Sequence, residues 1–180
     1  MPLFNPKTVE TALAAFTWKP TADEAVAAQT WAARAADPLF ELQNESQLEQ
    51  EFNRTILQQV LGYAAPSPAI VGTMQVKQPV PGGTIVDVAL GRFVDGKASI
   101  IAPLELKGPK VALDRIMPGR AKTPVQQAWD YAMDAPGARW VLISNMKELR
   151  LYAFGQGRQL YESFDLRKIG QPNELQRLRL

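Results

Sequence analysis

Three residues of this chain have the types and spacing to act on one reacting centre: Asp87, Glu105 and Lys107. Glu105-Leu106-Lys107 ends an apolar strand candidate, and side chains two apart on a strand point to the same face. Glu105 and Lys107 therefore share a face, and Asp87 can sit beside Glu105 if its own strand forms a hairpin with the next. Two carboxylates held together repel unless positive charge lies between them. A divalent cation resolves the repulsion, and a neighbouring ammonium can position a water or stabilise negative charge. That is the minimal equipment for metal-assisted phosphodiester hydrolysis, in which the metal polarises water and neutralises the oxygens around phosphorus. A Glu-x-Lys triplet alone says little, because average composition produces one roughly every few hundred residues. Taken in isolation, its commoner meaning is a surface strand end with a cross-strand ion pair. Two features narrow the choice. Asp87 is embedded in an apolar strand, where a lone carboxylate is expensive. The helix that follows carries Gln127 and Tyr131 four apart, hence on one face.

Composition agrees with that chemistry. The chain has 180 residues, 46% of them hydrophobic, with no Cys and no His. The length suits one ordinary domain with a real core. Lacking Cys, it has no disulfide framework, thiolate zinc site or cysteine nucleophile. Lacking His, it has no Ser-His-Asp triad, His-based metal site or His-based nuclease chemistry. Carboxylates, Lys, hydroxyls and amides are left, a donor set suited to a hard cation such as Mg²⁺. The net charge of +2 hides an asymmetry. Residues 1–60 hold four Lys/Arg against eight acids, and residues 61–180 hold sixteen against ten. A basic C-terminal part is compatible with a polyanionic partner, although scattered solvated charge gives the same count. No apolar stretch is long enough to span a membrane and no signal pattern opens the chain, so the expected compartment is the cytoplasm.

The elements that must position these residues can be read from caps and periodicity. Residues 1–20 are punctuated by proline around a short apolar run, Val9 to Trp18. Thr21-Ala22-Asp23-Glu24 reads as a capping box that opens a helix to about Ala36, which Asp37-Pro38 ends. Leu48, Phe52, Ile56, Val60 and Leu61 predict a second helix ended by Gly62. A short strand is predicted at Ile70–Val76. Thr84–Leu90 and Ser99–Lys107 follow as strands around a turn at Asp95-Gly96. Pro103 inside the second of these implies an edge or a bulge. A basic loop, Gly108–Lys122, leads to a helix capped by Thr123, with Pro124 at its first position and Gln126 completing a capping box. Ala138–Ser144 is an apolar strand. Leu149–Phe154 and Gln159–Phe164 then read as a hairpin around Gly155 and Gly157, and Asn173–Leu180 begins a helix. Trp129 and Trp140 fall on apolar faces as core residues. The order of elements makes an α/β layered domain.

In order along the chain, Asp87, Glu105-x-Lys107 and Gln127-x-x-x-Tyr131 resemble the PD-(D/E)xK nuclease superfamily in its RecB-like form. The similarity is closest to the N-terminal endonuclease domains of fused restriction–modification enzymes, type IIG and their type I-like relatives. It runs over Glu45–Tyr152 through "NESQLEQEFNRTILQQVLGY", "TIVDVALG", "PLELKGP…LDR", "TPVQQAWDYA" and "WVLISN…LRLY". The family's usual Pro-Asp is Val86-Asp87 here, a variation that keeps the carboxylate.

The resemblance implies a restriction-endonuclease-like fold, a three-layer α/β/α core with a mixed central sheet. Residues 1–40 would form an N-terminal helical extension, 41–170 the nuclease core, and 171–180 the start of a linker helix into a longer protein. Asp87 and Glu105 would bind Mg²⁺, with Mn²⁺ able to substitute, and Lys107 would serve the attacking water. Gln127 would lie near the catalytic centre with Tyr131 supporting it. Family members also place an acid on the first core helix. Glu49 matches that position best and Glu45 is the fallback, although Ser46-x-x-Glu49 also reads as a capping box. In a nuclease, Lys110, Arg115, Arg120 and Lys122 could neutralise phosphates, contributing affinity without sequence information. The alternative for each is a solvated loop position.

The implied activity is a Mg²⁺-dependent DNA endonuclease acting on double-stranded DNA, with dimerisation available for cutting both strands. Methyltransferase and target-recognition domains would lie elsewhere on the longer protein. The chain itself has no Gly-rich nucleotide loop and no Asn-Pro-Pro-Tyr methylation motif, so it does not methylate DNA. Two other readings stay open: a non-catalytic DNA-binding or assembly module that keeps the fold, and a structural domain whose Asp87, Glu105 and Lys107 form only an ion-pair cluster.

Overall fold

Two of the three capping boxes, Thr21 with Glu24 and Thr123 with Gln126, close as their sequences require. A computed structural model describes every residue, Met1–Leu180. Helix α1 (Pro6–Ala15) starts at Asn5, whose side chain accepts from the Lys7 N–H at 2.9 Å. In α2 (Ala22–Ala36) the Thr21 hydroxyl accepts the Glu24 N–H at 3.2 Å, and the Glu24 carboxylate accepts the Thr21 N–H at 2.7 Å. These bonds satisfy two of the donors that a helix N-terminus leaves open. Asp37 then caps a short 3-10 turn, Pro38–Leu42.

The next helix departs from expectation. It begins as α3 (Glu45–Phe52) and continues with π winding over Asn53–Val60. Leu48, Phe52, Ile56 and Val60 are fully buried, as their spacing demands. The wider i→i−5 turn, seen where the Leu61 N–H bonds the Ile56 carbonyl at 2.9 Å, also brings Thr55 and Leu57 inside. Apolar spacing marked the buried face but not the winding that serves it. The Ser46-x-x-Glu49 capping box does not form. Asn44 is the N-cap, accepting from Ser46 and Gln47, and this leaves the Glu49 carboxylate free for other partners.

Six strands form one sheet in the order β1-β2-β3-β4-β5-β6: β1 (Gly72–Pro79), β2 (Ile85–Val94), β3 (Lys97–Leu106), β4 (Trp140–Ser144), β5 (Glu148–Ala153) and β6 (Glu162–Asp165). Neighbours are antiparallel except β3 and β4, which are parallel and joined through α4 (Pro124–Asp134). Strand β1 lies later than the predicted Ile70–Val76, and β2 runs four residues beyond Leu90, to a turn where Asp95 and Gly96 take φ of +49° and +72°. The chain ends in α5 (Pro172–Arg179).

Helices cover both faces of the sheet. On one side, Trp31 of α2 and Leu48 and Phe52 of α3 pack with Val88, Leu90, Leu104 and Leu106, and Leu175 of α5 joins the same cluster. On the other, α4 sets Val125, Ala128 and Ala132 against Val141, Ile143 and Tyr152, and Tyr131 against Ala89, Phe93 and Ile100. The predicted extension and the predicted linker helix thus both bury side chains in the first of these cores.

Pro103 lies in a central strand, and a bulge accommodates it. Leu90 pairs with Ala102 but Gly91 with Ile100, so Ile101 is an extra residue in β3. The Ile101 carbonyl turns away and accepts the Arg139 N–H at 2.8 Å. The ladder to β4 starts only at Leu104, after the proline that could not have donated to it. Opposite the bulge the two backbones approach so closely that a Cβ at Gly91 would sit 2.0 Å from the Ser99 carbonyl oxygen. Gly91→Ala is therefore expected to cost about 1–3 kcal/mol or more, because the strands must separate. Urea denaturation checks this, and an unshifted midpoint would mean that the bulge has slack.

Candidate functional site

The site forms where β2 and β3 part. Their ladder ends at the pair Val88 and Leu104. One step further the Asp87 carboxylate takes the place of a backbone acceptor, and its Oδ2 accepts the Leu106 N–H at 2.8 Å. This bond draws Asp87 to the end of β3, beside Glu105. Glu105 is 1% exposed, and its Oε1 accepts from the Lys107 ammonium. Its other oxygen, Oε2, is buried with no partner. Parity had placed Glu105 and Lys107 together and a hairpin had placed Asp87 beside them. All three meet.

The electrostatics follow from that placement. Burial, reinforced by the Asp87 charge, pushes the Glu105 carboxyl up to about 7, against the opposing pull of Lys107. Tyr131 rises to about 12, first because it is buried and then because Glu105 lies beside it. Tyr131 projects from α4 and accepts a hydrogen bond from the Gln127 amide at 2.5 Å, so the predicted helix pair is a formed contact that reaches the carboxylates through Tyr131.

Glu49 reaches the same centre through Lys77, which sequence reasoning missed. The Lys77 ammonium lies 2.7 Å from Asp87 Oδ1 and 3.1 Å from Glu49 Oε2. Burial raises the Glu49 carboxyl, and Asp87 and Glu45 add to this while Lys77 opposes it. The Lys77 ammonium is held above its ordinary range, because Asp87 and Glu49 outweigh its partial burial. No local signal marked Lys77, because its place is set by register. The turn between β1 and β2 closes with the Val80 N–H on the Thr84 carbonyl, and counting outward from it sets Lys77 opposite Asp87.

Glu45 has a different post: its carboxylate accepts the Gly108 N–H at 3.0 Å, holding the backbone just after Lys107. The basic loop is anchored too. Leu113 is buried, the Asn145 amide donates to the Val111 carbonyl at 3.0 Å, and Arg150 holds Asp114 at 2.9 Å. Lys110, Arg115 and Arg120 are exposed on it, while Lys122 is paired with Asp130 at 2.6 Å. Trp129 packs against Tyr152 and Phe154, and Trp140 lines the other core near Phe4, both as apolar surface.

Asp87 and Glu105, with the unpartnered Oε2, are the residues that could hold a hard cation. No three acids are gathered into a ready metal cluster, since Lys77 stands between Asp87 and Glu49. A cavity of about 800 Å³ lies elsewhere, lined mostly by apolar side chains that include Phe4, Leu61, Trp140 and Leu142. No helix is long and apolar enough to cross a membrane.

Comparison with known proteins leaves the reading to the residues. No family model, curated protein or solved structure matches the chain.

Proposed function

We propose that this chain is a Mg²⁺-dependent DNA endonuclease, the cleavage domain of a restriction–modification enzyme. One observation carries the reading: Asp87, Glu105 and Lys107 converge at a splayed strand end, and a buried Glu105 oxygen is left without a partner. A buried unpartnered carboxylate oxygen is costly, and a hard divalent cation is the partner that suits it. The α4 crossover between parallel β3 and β4, with helices on both faces, is what a restriction-endonuclease-like three-layer core would need.

In this reading Asp87 and Glu105 hold Mg²⁺ or Mn²⁺, which supplies charge neutralisation for the phosphate oxygens and polarises water. Lys107 holds the attacking water in line and offsets charge as the phosphorus becomes more crowded. Gln127 and Tyr131 border the carboxylates and limit how they rotate. Lys110, Arg115 and Arg120 contact backbone phosphates of double-stranded DNA. Methyltransferase and target-recognition domains of a longer protein would choose where it cuts, and a second copy would cut the other strand.

The test is nicking of a supercoiled plasmid with Mg²⁺ or Mn²⁺. Wild type is expected to nick and to stop with chelator, while Asp87→Ala and Lys107→Ala lose the activity. Equal activity in all three proteins would remove the reading.

A second reading is a non-catalytic DNA-binding or assembly module. It is favoured by Lys77, which neutralises Asp87 and Glu49 from within the chain. DNA binding by calorimetry without any divalent-metal site would decide for it.

A further inference from the structure

We propose that Lys77 is a built-in counter-cation that holds the carboxylate cluster shut against a divalent metal and must swing out before one binds. The inference rests on the reading of Asp87 and Glu105 as metal-holding residues and adds to it how access to that site is controlled.

Three observations carry it. The Lys77 ammonium lies between two carboxylates from different elements, 2.7 Å from Asp87 on β2 and 3.1 Å from Glu49 on α3. It thus occupies the side of Asp87 from which a cation would be shared with the α3 acid. Its backbone is left-handed, with φ of +47° in the middle of β1, a conformation that a residue with a Cβ rarely adopts in a strand. That local turn lies directly across from Asp87. Finally, Lys77 leaves the cluster incomplete. Glu105, 1% exposed, keeps Oε2 without a partner, so the site retains an acceptor that the ammonium does not serve.

The side chain is free to leave. More than half of the Lys77 side chain is exposed, at 56%, and a lysine stem is flexible, so an open path leads the ammonium into solvent. Staying is costly once a metal arrives, because an ammonium and a divalent cation on one Asp87 carboxylate repel each other strongly. Binding therefore draws only on the fraction of molecules with Lys77 withdrawn, and the apparent affinity falls by that fraction.

The experiment titrates Mg²⁺ and Mn²⁺ into the full chain by calorimetry, comparing wild type with Lys77→Met and Lys77→Arg. Methionine keeps length and bulk at the same backbone angle without charge, and arginine keeps the charge. Lys77→Met is expected to bind about tenfold more tightly than wild type, while Lys77→Arg stays close to wild type. If repulsion among the carboxylates unfolds Lys77→Met, circular dichroism is expected to show saturating Mn²⁺ refolding it, and failure to refold overturns the proposal. Metal binding in wild type that Lys77→Met leaves unchanged or weakens overturns the proposal alone. No binding by any of the three proteins overturns the metal reading, and the proposal with it.

Discussion

Glu105→Gln is expected to make the protein more stable at neutral pH while slowing the proposed DNA nicking roughly a thousandfold, equivalent to about 4 kcal/mol of barrier. The loss of activity follows from removing a charge that a hard cation needs at a buried position. The gain in stability follows from the same charge. Burial and the neighbouring Asp87 raise the Glu105 carboxyl from 4.5 to about 7 in the folded chain. The folded state therefore binds the proton more tightly than the unfolded state, and stability falls as pH rises across the window between those two values. Above pH 7 the accumulated cost is about 3 kcal/mol. Glutamine carries no such charge, so no buried ionisation opposes folding at this position. Thermal unfolding without divalent cations, from pH 5 to 8, checks the point. Wild type should lose clearly more stability across that range than the variant, which keeps only the smaller contribution of the raised Glu49 carboxyl. Parallel curves would sink the explanation.

Trp31→Ala is expected to destabilise the fold by about 3–5 kcal/mol, a large share of what a domain of this size has. Trp31 is 1% exposed, and its ring meets Phe40 and Phe52 edge-on at centroid distances of 5.8 and 5.5 Å. Its indole N–H also donates to the Met146 carbonyl at 3.1 Å. Met146 takes a left-handed φ of +67° in the β4–β5 turn, and its own N–H is held by the Ser144 hydroxyl at 2.8 Å. The Ser144 carbonyl in turn accepts the Lys107 N–H at 2.9 Å. Helix α2 thus braces the turn beside the strand end that carries Lys107. Trp31→Phe keeps much of the apolar contact but strands the Met146 carbonyl, at about 1–3 kcal/mol. Urea denaturation of both variants separates packing from the hydrogen bond. A Trp31→Phe midpoint equal to wild type would mean that the bond contributes nothing.

Most elements were legible because their signals are local. Thr21 with Glu24, and Thr123 with Gln126, announce helix starts through bonds that span three residues. Asp95-Gly96 announces its turn through backbone angles that few residues adopt. The π winding of Asn53–Val60 had no such signal, because Phe52, Ile56 and Val60 recur at α-helical spacing and only the added burial of Thr55 and Leu57 sets it apart. The Ser46-x-x-Glu49 box was legible but misleading. Asn44, two residues earlier, offers a better-placed acceptor and wins the helix start.

The chain by itself determined that Glu105 and Lys107 face one way, since strand parity is a property of two neighbouring residues. It also determined which residue types could act, by containing neither Cys nor His. Tertiary structure decided the rest. The bulge at Ile101 sends Ile100 to the α4 side while Ala102, Leu104 and Leu106 face α2 and α3, although all four alternate as one face in the sequence. The fraying of β2 from β3 gives Asp87 the Leu106 N–H, and the β1 register delivers Lys77 between Asp87 and Glu49. Each of these depends on pairing residues far apart in the chain, where closing the intervening loop costs entropy that only the assembled sheet and core offset. Local pattern therefore names the groups of the site, and long-range register decides their neighbours, their protonation and what stands between them.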